Sequence, residues 1–123
     1  MQNSVSLREA HTILRKEKDC VLIGDIWGYI SDVNRTLLKF FGAKNKKEIV
    51  GKHVLNFLIE EERARATENS VASIKSNEGK TETYKVRMRS GEIALLQVET
   101  ILIADRKGSG IGFVDIVKLA NQP

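Results

Sequence analysis

Residues 92–104 read Glu92-Ile-Ala-Leu-Leu-Gln-Val-Glu-Thr-Ile-Leu-Ile-Ala104. The run holds no glycine or proline and is rich in branched aliphatics, so it reads as one long β-strand. Side chains alternate between the two faces of a strand. The even positions are Ala94, Leu96, Val98, Thr100 and Leu102; the odd ones are Ile93, Leu95, Gln97, Glu99, Ile101 and Ile103. Both sets are largely apolar, with Gln97 and Glu99 wetting only the centre of the odd face. An antiparallel sheet with a single core shows water a polar second face. Here something must cover that second face.

Just before this run, Ser90-Gly91 signals a tight hairpin. Before it, Tyr84, Val86 and Met88 alternate with Lys85, Arg87 and Arg89, as in a half-buried strand. After the long strand, Asp105-Arg-Lys-Gly108 turns the chain into a final strand, Ile111 to Leu119. That strand too is two-sided, with Val114 and Ile116 on one face and Ile111, Phe113 and Val117 on the other. The last third is therefore three antiparallel strands.

Glu60 to Asn77 is the one long helix, followed by Gly79. Glu60, Glu61 and Glu62 favour its N-terminus, and Ala64, Thr67, Val71 and Ile74 form a narrow inner stripe. Upstream, Cys20–Gly24 and Tyr29–Val33 make a hairpin about the turn Asp25–Gly28, where Trp27 is expected to pack over one end of the sheet or to mark a contact surface. Asn34 caps a helix whose apolar stripe is Leu37, Phe40 and Phe41 and whose stop is Gly42. Short helical turns follow at Asn45–Val50 and His53–Leu58. Residues 4–18 form an amphipathic helix, with Leu7, Ala10, His11, Ile13 and Leu14 apolar, that docks on the domain or pairs with a second copy. The organisation expected is an N-terminal helix over 1–18, a domain over 19–119 and a tail over 120–123.

The 123 residues suffice for one core. No apolar run approaches the length of a membrane span, and Met1–Ser6 lacks the pattern of a signal peptide. With one cysteine, Cys20, no internal disulfide forms; a small buried thiol and a reducing, cytoplasmic compartment are expected. The net charge of +4 is mild. Lys44, Lys46, Lys47 and Lys52 cluster without interleaved aromatics, which argues against a nucleic-acid binder. Two isolated histidines, His11 and His53, and Cys20 make no metal site. No catalytic residue is expected: no Ser-His-Asp spacing appears, and the glycine-rich stretch Asp105–Gly112 joins two strands instead of cradling phosphate. Glu99, the one carboxylate weighed for catalysis, falls on the face read as outward.

The ordered punctuation resembles the PAS sensory domain. The residues that carry it are Gly28-x-Ile30 and Asn34, Leu37-x-x-Phe40-x-Gly42, Glu48-Ile49-x-Gly51-Lys52, Glu61-Glu62-Arg63, Arg89-Ser90-Gly91 and Asp105-x-x-Gly108-x-x-x-Gly112, spread from Cys20 to Leu119. The resemblance implies an α+β fold: a five-stranded antiparallel sheet in the order 2-1-5-4-3, with helices on one face and an N-terminal flanking helix. It implies a sensory module that dimerises and is part of a larger sensor, such as the histidine kinase of a two-component system. The absence of an effector before Pro123 fits a fragment of a longer sensor, or else a domain that acts alone through its outer sheet face. The output triad Asp-Ile-Thr of many PAS domains would fall at Leu119-Ala120-Asn121 and is missing; Asp115-Ile116-Val117 is similar but four residues early.

The flavin-binding LOV branch uses a cysteine where this chain has Val54. Its polar flavin anchors, counted from Gly91 and Gly112, fall on Val86, Leu96 and Val114. The histidine that commonly binds haem is missing from residues 60–77, and His53 is out of place for that role. Both cofactors are therefore argued against, leaving a filled core or an apolar small molecule. The expected cavity takes Val86, Met88, Leu96, Val98 and Val114 from the strands. Leu37, Phe40, Phe41, Phe57, Val71 and Ile74 come from the helices. The expected homodimer interface joins Leu7, Ile13 and Leu14 of the first helix to Ile93, Leu95, Ile101, Ile103 and Phe113 of the outer sheet face. A ligand-gated apolar cavity is the alternative to regulated packing between two copies.

Overall fold

The computed structural model describes residues 4–120. Its elements, in chain order, begin with β1 (Ser4–Val5), α1 (Leu7–Lys16), β2 (Cys20–Asp25), β3 (Ile30–Val33) and α2 (Arg35–Phe41). Two 3-10 turns (Lys46–Glu48 and Val54–Phe57) lead to α3 (Glu60–Ser76), β4 (Lys80–Arg87), β5 (Ile93–Ala104) and β6 (Gly110–Leu119).

Five strands pair in the antiparallel order β3-β2-β6-β5-β4, the order the resemblance implies. A sixth strand was not expected: β1 runs parallel to β5, with Ser4 opposite Leu102 and Val5 opposite Ile103. It shortens the first helix at its start. Ser6 caps α1 by a capping box, in which its hydroxyl accepts from Glu9 N–H and Glu9 accepts from Ser6 N–H. Ser4 and Val5 are thereby left extended.

The two-sided strands have two separate cores. One lies between the inner face of the sheet and the α2–α3 side, where Cys20, Ile30, Leu37, Ile49, Tyr84, Val86, Leu96 and Val117 are buried together. The other lies on the opposite face, where Ala10 and Leu14 of α1 pack on Val21, Ile23, Ile103 and Val114. Helix α1 is thus a cover for the outer sheet face.

Asn34 stitches the hairpin to α2. Its Oδ1 accepts from Leu37 N–H as an N-cap and from Val21 N–H, both at 3.0 Å, while Nδ2 donates to the Asp19 carbonyl. Gly42, at φ 70°, ends α2 in the left-handed region.

Helix α3 departs from its expected face. Ala64 and Thr67 are exposed, as are Val71 and Ile74, whereas Ser73 is buried. Polar tethers to β4 turn it that way. Glu62 accepts from Lys85 N–H, Arg65 bridges Glu62 and Glu82 and stacks over Tyr84, and Asn69 donates to the Tyr84 hydroxyl.

Candidate functional site

Between the inner sheet face and the helices lies a cavity of about 110 Å³. Its walls are apolar: Leu37 and Phe41 from α2, Phe57 from the second 3-10 turn, and Val86, Leu96 and Val98 from the strands. All six were expected there. Phe40 and Met88 pack behind this wall without lining it. Val71 and Ile74 border an adjoining cleft of about 300 Å³ between α3 and the β2–β3 turn.

Two expected placements are corrected by register. Val114 was assigned to the cavity and Phe113 to the outer face. In β6, Leu102 of β5 pairs with Phe113, Thr100 with Asp115 and Val98 with Val117, so the odd residues of β6 face inward. Val114 pairs with Ile101 and lies under α1 on the outer face. Phe113 is buried on the inner side, where it borders the cleft. Val114, where the resemblance would place a flavin anchor, is therefore turned away from the cavity, and its inward neighbour Asp115 is an acid.

That acid, Asp115, borders both cavity and cleft. The Thr100 hydroxyl donates to its Oδ1 at 2.8 Å, the one hydrogen bond to the carboxyl among the described residues. No buried side-chain oxygen among the described residues is both sealed and unpartnered, so Oδ2 remains reachable from the open space. Burial pushes the carboxyl up to about 6, against the opposing effect of the Thr100 bond. Sequence reasoning missed Asp115, Thr100 and Ser70. Leu22 and Tyr84 in the wall were also unassigned, as were Ile30, Ile49, Val54, Leu58, Ala66 and Val117.

The cleft has a built lip. Gly28, at φ 96°, lets the hairpin turn approach His53: a Cβ there would lie 2.7 Å from the imidazole. His53 Nε2 donates to the Trp27 carbonyl at 2.7 Å, while Nδ1 accepts from Leu55 N–H at 3.1 Å and starts the second 3-10 turn. Tyr29 meets the same ring edge-on. Of the two expectations for Trp27, packing over the sheet is not met: the residue is 75% exposed at the mouth of the cleft. Cys20 is buried, and its thiol is pushed up to about 11 by burial and then by the Asp19 charge, which leaves it protonated and poorly nucleophilic.

On the outer face, Ile13, Leu14, Ile101 and Ile103 are already packed in the α1 core, leaving Leu7 (48% exposed), Ile93 (49%) and Leu95 (43%) in solvent. Among the described residues no three His, Cys, Asp or Glu side chains converge as metal ligands, and no helix is long and apolar enough to cross a membrane.

A family model of the PAS domain matches residues 18–118. The chain belongs to the PAS domain family. PAS domains are in general sensory signalling modules, not catalysts. Solved structures share the fold at low identity. A PAS domain of a Colwellia psychrerythraea protein has TM-score 0.79 at 16% identity, covering 93% of this chain and 96% of that one. The PAS-B domain of Drosophila melanogaster Cycle, solved with bound ethylene glycol, has TM-score 0.73 at 16% identity, covering 82% and 99%. A Rhodobacter sphaeroides LOV protein has TM-score 0.78 at 11% identity, covering 94% of this chain and 66% of that one. No curated protein matches the chain.

Proposed function

We propose that this PAS domain is the input module of a larger signalling protein and senses a small molecule held between its sheet and helices. The observation that supports this most directly is the open apolar cavity joined to a cleft and floored by the reachable Asp115 carboxyl. Ligand sites combine an apolar wall with a few placed polar groups, and a core that served packing alone would be filled. The signal would pass through α3, whose polar attachment along one edge lets it shift against the cleft. The native mass of freshly purified protein tests this. A chain mass with a small added mass supports the reading; a dimer of bare chains turns the account to a second reading.

That second reading is homodimerisation through the outer face, which would hand the signal to an effector in the same or a partner chain, such as a histidine kinase. It is favoured by exposed Leu7, Ile93 and Leu95. The flanking element over 1–18, the PAS unit over 19–119, the tail over 120–123 and a cytoplasmic setting belong to the same proposal. Leu95→Asp with Ile93→Asp should leave the melting temperature within a few degrees and abolish self-association in sedimentation; unchanged self-association removes this face from the account.

A further inference from the structure

We propose that the site selects an amine: a compact apolar body in the inner cavity, with an ammonium or equivalent N–H head on the Asp115 carboxyl. This rests on the reading that the cavity holds a small molecule and names that molecule's class.

Size comes first. An apolar cavity of about 150 Å³ takes a benzene ring, so the inner space of about 110 Å³ falls short of a whole ring, and a phenyl-sized body fills it and reaches into the adjoining cleft. A longer body must extend into the cleft under α3, past Asp115, which sits where cavity and cleft meet. Any ligand that spans both spaces therefore passes the carboxyl.

Chemistry then sets the head. Among the described residues, Asp115 has one hydrogen-bond donor, Thr100, and its second oxygen has none. An ionised carboxylate accepts hydrogen bonds and donates none. In so apolar a pocket it gains from a cation and repels an anion. Fatty acids and other carboxylates are thus disfavoured with their heads at this point. The other groups round the carboxyl do not supply a competing cation. Helix α3 contributes Ala66, Thr67, Ser70, Val71 and Ile74, none of them charged. The phenol of Tyr84 on β4 is held neutral by its raised pKa, Asp25 of β2 is itself acidic, and His53 across the cleft is engaged at both ring nitrogens.

The test titrates the protein with three probes of matched shape: 2-phenylethylamine, ethylbenzene and phenylacetate. The readout is amide chemical shifts in wild type and in Asp115→Asn. The amine should bind the wild type best and lose tenfold or more in the variant, with ethylbenzene unchanged between the two. A wild-type pH series gives a second readout free of any folding defect. Amine affinity should fall about tenfold from pH 7.5 to pH 5, as the carboxyl takes up its proton, while ethylbenzene stays level. Equal amine binding to both proteins, or preference for phenylacetate, overturns the proposal while leaving the cavity reading intact. If none of the three probes shifts the cavity amides, the proposal falls together with that reading.

Discussion

Asp115 carries the most information of any single residue. Its carboxyl is raised from the ordinary aspartate value to about 6 because burial disfavours the charge. A raised acid stabilises the fold fully below its unfolded value near 4 and loses that stabilisation as the pH climbs through about 6. A shift of about two units corresponds to about 3 kcal/mol at most. Asp115→Asn should remove this dependence. Denaturant titrations should therefore show the variant gaining on wild type between pH 4 and pH 7, then holding a constant lead. A pH-independent difference between the two would contradict the burial argument. The same residue marks where the sequence falls short. Strands β5 and β6 are apolar on both sides, so alternation gives two phases without saying which one faces in. An aspartate read alone is assigned to water. Only the register that pairs Thr100 with Asp115 turns it inward, and that same register sends Val114 to the outer face and Phe113 to the inner one.

At the scale of elements, much of the chain was legible because single residues dictate it. Asn34, Gly42 and Ser90-Gly91 set a cap, a stop and a hairpin where the sequence places them. Asn34→Ala should cost about 2 kcal/mol in a denaturation midpoint measurement, since the cap and the bond to Val21 N–H vanish together. A loss no greater than a few tenths would mean water replaces both. Helix α3 was misread for the opposite reason. Its apolar residues are sparse, and Arg65, Glu62 and Asn69 fix its orientation through bonds to β4 that no periodicity reveals. An apolar flank, Val71 and Ile74, is thereby left facing a cleft. The parallel β1 was equally hidden, because two residues carry no pattern and only the Ser6 capping box separates them from α1.

At the scale of the whole molecule, the two-sided sheet organises everything else. The expectation that something covers the outer face is met within the chain by α1, which buries Ala10 and Leu14 against Val21, Ile23 and Ile103. The inner face carries the open space. An amide chemical-shift titration with toluene tests most directly whether that space is a binding site, in wild type and in Leu96→Trp, whose added ring would occupy the cavity. The prediction is saturable shifts at Leu22, Leu96 and Asp115 in wild type and their loss in the filled variant. Absence of shifts in wild type, or shifts confined to Ile93 and Leu95 on the outer face, would contradict it.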